Sequence, residues 1–91
     1  MKPEGPRIDF PREGEIIRSG TYTIRLGAPQ EDWLVEISIN GGVWLPCRAA
    51  AGYWWYDWSG IEPGAHEIEG RLTDEDGITE LCAPRRFLAE P

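Results

Sequence analysis

The stretch Trp33 to Cys47, WLVEISINGGVWLPC, decides the fold class. Its first half alternates: Trp33, Val35, Ile37 and Ile39 fall on one side of an extended chain, Glu36 and Ser38 on the other. A period of two with one apolar face describes a half-buried antiparallel strand. Asn40-Gly41 comes next, a pair suited to the two positive φ angles of a type I′ turn, so the segment is expected to fold back as a tight hairpin onto VWLPC. In that hairpin Trp44 is expected to pack inward near Ile37, with Trp33 half exposed at the rim.

The same alternation recurs on both sides. TYTIRLG sets Tyr22, Ile24 and Leu26 against Thr21, Thr23 and Arg25, and AHEIEGRLT sets His66, Ile68, Gly70 and Leu72 against Glu67, Glu69, Arg71 and Thr73. Asp76-Gly77 is expected to turn the chain as Asn40-Gly41 does, and Pro63-Gly64 marks a loop before the strand holding His66. Helical periodicity is nowhere sustained, and RAAAG is too short to stand as a helix. Strands are expected over about 7–10, 15–18, 21–27, 33–39, 43–47, 53–58, 65–73 and 78–89, the first two readable as one edge strand broken at Pro11 and Gly14. The fold class is therefore all-β, an immunoglobulin-like antiparallel β-sandwich of about seven to eight strands without helices. A five-stranded open barrel is the rival. Residues 1–91 are expected to form a single domain with flexible ends at 1–6 and 90–91.

Composition narrows the function classes. Sixteen Asp and Glu against nine Lys and Arg leave a net charge of −7, which repels phosphate backbones and anionic lipid, so neither nucleic acid nor a membrane is an expected partner. The start, MKPEGPRIDF, lacks the apolar stretch of a secretory signal. As written the chain is expected to be cytoplasmic, and extracellular if it is a domain excised from a larger secreted protein.

The hairpin VEISINGGVWLPC, the aromatic strand YWWYDWSG and the run PGAHEIEGRLTDEDGI together resemble bacterial immunoglobulin-like or fibronectin III-like modules over about residues 7–89. The pattern is similar to accessory domains of polysaccharide-acting enzymes and to the dimerisation domain of sulfite-oxidase-type enzymes. That resemblance implies a sandwich fold and a spacer, dimerisation or binding role. It implies no catalytic residue, because such modules have none to lend.

GYWWYDWSG, Gly52 to Gly60, packs three Trp and two Tyr into six consecutive positions. Alternation sends Trp54, Tyr56 and Trp58 inward and leaves Tyr53, Trp55 and Asp57 outward. Tyr53, Trp55, Asp57 and rim-exposed Trp33 form the candidate binding face. Its structural alternative is a pair of aromatics covered by a loop or by Arg25 or Arg48. The leading expectation is a non-catalytic interaction module that binds a protein partner or self-associates. The alternative is a carbohydrate-binding accessory module that stacks sugars on Trp55, Tyr53 and Trp33, with Asp57 or Glu36 accepting hydroxyl hydrogen bonds. A small enzyme is the third reading, and it would need a pocket that sandwiches of this size seldom enclose.

No catalytic residue, cofactor or metal ligand is expected. His66, the one histidine, sits where a sandwich places a polar aromatic that bonds back to the preceding corner. Asp74, Glu75 and Asp76 read as a solvated hairpin turn, because their spacing lacks the glycine and glutamate of an EF-hand loop. Cys47 and Cys82 are expected as free thiols. Two strands should lie between their own, placing them about 14 Å apart, well beyond the reach of a disulfide.

Overall fold

The computed structural model describes residues 6–28 and 33–90. Ten strands build it. The first five are β1 (Arg7–Phe10), β2 (Ile16–Ile17), β3 (Thr21–Gly27), β4 (Leu34–Ile39) and β5 (Trp44–Pro46). The remainder are β6 (Arg48–Ala50), β7 (Tyr53–Ser59), β8 (Gly64–Thr73), β9 (Thr79–Leu81) and β10 (Arg85–Ala89). Two sheets face each other. One runs β1-β3-β7-β6; the other runs β2-β10-β8-β4-β5, with β9 beside the second half of β8. Every pairing is antiparallel except β2 with β10. The two sheets make an all-β sandwich, as alternation requires when each strand has one apolar face to bury.

The core lies between the sheets. Ile8, Ile24, Leu26 and Trp54 come from the first; Ile17, Val35, Ile37, Ile68, Leu72 and Phe87 come from the second. Ile24, Leu26, Val35, Ile37 and Ile68 are wholly excluded from water. Gly70 on β8 is a packing requirement. A Cβ there would meet Cys82 Sγ at 2.9 Å and Leu26 Cδ2 at 3.0 Å, so the opposing sheet can approach only because no side chain is present.

Both lateral edges are closed in the same way. β1 bonds to the first sheet, the chain turns at buried Pro11 after a cis Phe10–Pro11 peptide, and β2 bonds to the second. On the opposite side β5 bonds to the second sheet and β6 to the first, crossing at Cys47, whose N–H donates to the Val35 carbonyl at 2.9 Å. The broken edge strand expected at the N-terminus is thus split between two sheets, and RAA, left without a role by the sequence, is a strand. The run expected over 78–89 divides into β9 and β10. Of the expected flexible ends, residues 1–5 and 91 lie outside the described residues. Pro6 is buried, and the Glu90 N–H donates to the Ile17 carbonyl at 2.8 Å.

Asn40 and Gly41 take φ of 52° and 74°, and the Gly42 N–H donates to the Ile39 carbonyl at 2.9 Å, closing a turn of the expected type. Beyond the turn the register is Ser38↔Trp44 and Ile37↔Leu45. Val43 is therefore an extra residue, a bulge, and it moves every later side chain to the opposite face. Leu45, not Trp44, packs with Ile37. Trp44 lies on the outer side, where the Arg71 guanidinium sits 4.3 Å above its ring. The second expected turn also differs: only Gly77 takes a positive φ, of 81°, and the Gly77 N–H donates to the Asp74 carbonyl at 3.0 Å. This is a three-residue loop with a glycine bulge, braced by the Asp74 carboxylate, which accepts the Asp76 and Ile78 N–H groups at 2.9 Å each. That bracing is the local function of TDEDG.

Candidate interaction face

β7 is central to the first sheet, and its alternation sorts the aromatic run. Trp54 is 7% exposed; Tyr56 and Trp58 pack against the core beside it. Tyr53, Trp55 and Asp57 lie on the outer face, next to Thr23 and Arg25 of β3 and Arg48 of β6, in the register Arg48↔Trp55↔Arg25. Tyr53 and Trp55 are half buried and meet edge to face, with centroids 6.0 Å apart and planes at 73°. The Trp55 indole N–H donates to the Ala50 carbonyl at 2.8 Å. Asp57 accepts from the Thr23 hydroxyl at 2.9 Å and from Arg48 Nε at 3.3 Å. Arg48 foremost, and then Thr23, hold its carboxyl below the ordinary range.

Residues outside the candidate set complete this face: Phe10, Arg12 and Arg25, with Asp9 and Arg7 bracing them. Phe10 shares a strand with buried Ile8 at a spacing of two, so alternation places it in the core. The structure inserts a bulge: Ile8 pairs Leu26 while Phe10 pairs Arg25, making Asp9 the extra residue and turning Phe10 outward. The Arg25 guanidinium then lies 4.7 Å from the Phe10 ring and 4.2 Å from the Tyr53 ring, bridging β1 to β7, and the Arg12 guanidinium lies 5.2 Å from the Phe10 ring. Asp9 fixes the bridge, accepting from Arg25 Nε at 3.2 Å and Arg7 Nε at 3.0 Å. The ladder Arg12–Phe10–Arg25–Tyr53–Trp55 thus crosses the sheet as one braced unit. Each cation–ring contact of this half-exposed kind contributes on the order of 1 kcal/mol.

Trp33 does not join it. Preceding β4 of the other sheet, it packs partly buried against the core. Glu36 is on that other sheet too, with Arg71 Nη2 at 2.7 Å from its carboxylate.

His66 lies at the end of the sandwich. Its Nε2 is 2.6 Å from the Glu62 carbonyl, which can only accept, so Nε2 carries the proton and Nδ1 accepts from the Asn40 amide at 2.9 Å. This is the corner bond expected of it. The ring also meets Trp58 edge-on at 5.1 Å and stacks on Phe87 at 5.8 Å. An open hollow of about 360 Å³ lies beside it, lined among others by Asn40, Glu67, Arg86 and Leu88. Its charged groups are engaged with one another, Arg86 Nε on Glu67 at 2.9 Å. Among the described residues no three His, Cys, Asp or Glu converge as a metal site, and no helix is long and apolar enough to cross a membrane. Cys47 and Cys82 are free, and strands β8 and β4 lie between the strands that flank them. Burial, with Glu36 adding its charge, pushes the Cys47 thiol up to about 12, and burial also raises that of Cys82.

No protein-family model and no curated protein matches the chain. Solved structures do. The fibronectin(III)-like modules of Clostridium thermocellum CbhA superpose with a TM-score of 0.77 at 21% identity, covering 92% of this chain and 93% of that one. A modular endo-β-1,4-mannanase from Cellulomonas fimi gives 0.72 at 20% identity, covering 98% of this chain but 19% of the mannanase. CopC from Methylosinus trichosporium OB3b gives 0.63 at 15% identity over 94% of both chains. The fold is that of a fibronectin III-like β-sandwich, and at these identities the likeness is one of fold.

Proposed function

We propose that this chain is a non-catalytic immunoglobulin-like module that binds protein through the outer face of its four-stranded sheet. One observation favours protein over sugar: Arg25 covers Tyr53 at 4.2 Å, the cover that the structural alternative expects for that ring, and Tyr53 and Trp55 stand at 73° to each other. Sugar stacking needs open ring faces set side by side. This face instead presents a braced mosaic of Arg, Tyr and Trp, the residue types that dominate protein–protein hot spots. A carbohydrate-binding accessory role is the second reading, motivated by the fold likeness to part of a modular mannanase. The two separate experimentally. A photo-crosslinking residue at Thr23, in the middle of the face, should give a defined protein adduct in native extract that Trp55→Ala abolishes. Affinity gel electrophoresis against soluble polysaccharides should show no retardation. Retardation that Trp55→Ala removes would replace protein recognition with sugar recognition.

A further inference from the structure

Resting on that reading, we infer that the partner presented to this face is an acidic protein segment carrying aromatic side chains. The charge distribution points there. The outer face holds Arg7, Arg25 and Arg48 against Asp9 and Asp57, a net +1, with Arg12 and Glu15 balancing each other at its margin, whereas the chain as a whole carries −7, which leaves −8 for everything else. Acidic proteins ordinarily spread their few cations among their anions. Here three of the nine basic residues, with Arg12 at the margin, gather on one sheet face, interleaved with Phe10, Tyr53 and Trp55.

The geometry makes those cations usable. Arg25 is held by Asp9 and flanked by two rings, so little side-chain freedom remains to be lost when a ligand arrives. Arg48 and Arg7 are more exposed, at 58% and 59%; Arg48 reaches Asp57 through both Nε and Nη2, Arg7 reaches Asp9 through Nε with its guanidinium laid over Gly27, and both ion pairs are open to solvent. A carboxylate from outside can therefore join these pairs. The remainder of the chain is acidic on balance, which disfavours an acidic partner away from this face and so orients its approach. Aromatic rings on the partner would meet the edge of Trp55 and the open margin of Phe10.

The probe is a soluble Glu–Tyr copolymer, with Lys–Tyr and Ser–Tyr copolymers of the same tyrosine content as comparisons. The readouts are the Trp55 indole N–H and arginine Nε–H resonances of the labelled protein. The Glu–Tyr polymer should move the Trp55, Arg25 and Arg48 signals and leave those of Trp44 and Arg71, on the opposite sheet, in place. Binding should weaken by about tenfold as salt rises past the point where the Debye length falls to a few ångströms. Arg48→Gln, at an exposed position where folding is not in question, should weaken it several-fold, and Arg25→Gln by more. Equal shifts with the Ser–Tyr polymer would overturn the acidic partner while leaving a protein interface standing. Shifts with Lys–Tyr alone, or with none of the three, would overturn the inference outright. Sedimentation in the same low-salt buffer supplies the last arm: self-association that Arg48→Gln abolishes would make the acidic surface of a second copy the occupant, in place of a foreign segment.

Discussion

Ala51 makes a demanding test of the hairpin that carries the aromatic strand. It joins β6 to β7 as the first residue of a two-residue turn, with φ of 53° at Ala51 and 80° at Gly52 and Ala50 paired with Tyr53. Both torsions belong to a type I′ turn, which favours Asn-Gly; this chain places Asn-Gly in one such turn and Ala-Gly in the other. A left-handed backbone costs an ordinary L-residue about 1–2 kcal/mol, and asparagine tolerates it with far less strain. Ala51 is exposed, so a larger side chain meets nothing. Ala51→Asn should therefore stabilise the domain by about 0.5–1 kcal/mol. At about 4–8 °C per kcal/mol for a domain of this size, Tm should rise by about 2–8 °C. Ala51→Gly relieves the same strain but adds unfolded-state entropy, so its gain should be smaller. Thermal melts followed by circular dichroism, with urea titrations to confirm an unchanged slope, measure both. Ala49→Asn, two residues before Ala51 in ordinary strand geometry, is the control. The reasoning is refuted if Ala51→Asn is neutral or destabilising, or if Ala49→Asn gains as much.

Further expectations concern the core and the corner. Gly70→Ala should cost about 1–3 kcal/mol, because its Cβ collides with Cys82 Sγ and Leu26; urea unfolding should show the loss, and Cys82→Ala should recover part of it. His66→Phe keeps the ring contacts with Trp58 and Phe87 but deletes bonds to Glu62 and Asn40, and should lower stability by about 1 kcal/mol in the same assay. Cys47 and Tyr22 both have raised folded values of about 12, the first from burial and then Glu36, the second from burial and then Glu15. Folding therefore favours their neutral forms. Their contribution is complete below about pH 9 for the thiol and pH 10 for the phenol, and is lost as pH climbs towards 12. Unfolding midpoints recorded across that range should fall, and less steeply in Cys47→Ala. Ellman's reagent at neutral pH should react slowly with the native protein and find two thiols once it is denatured without reductant.

Much of this architecture was legible in local sequence. Alternation along TYTIRLG and YWWYDW correctly buries Ile24, Leu26 and Trp54 and turns Arg25, Tyr53 and Trp55 outward, because successive side chains on an extended backbone must point to opposite faces whatever surrounds them. Asn40-Gly41 likewise declares its turn through backbone sterics alone. Two bulges defeated the same logic. At Asp9 and Val43 one extra residue enters a strand, so Phe10 turns to the outer face of the four-stranded sheet and Trp44 leaves Ile37 for Arg71. A bulge answers to the partner strand and to the shape of the opposing sheet, neither of which is encoded within a few residues of it. The same holds for the two edge segments that change sheets at Pro11 and Cys47, and for the Arg25 bridge between Phe10 and Tyr53. Local sterics settled which way most side chains point. Only closure of the two sheets over a common core decided which strands pair, where a residue is spare, and therefore which aromatics and arginines meet on one face.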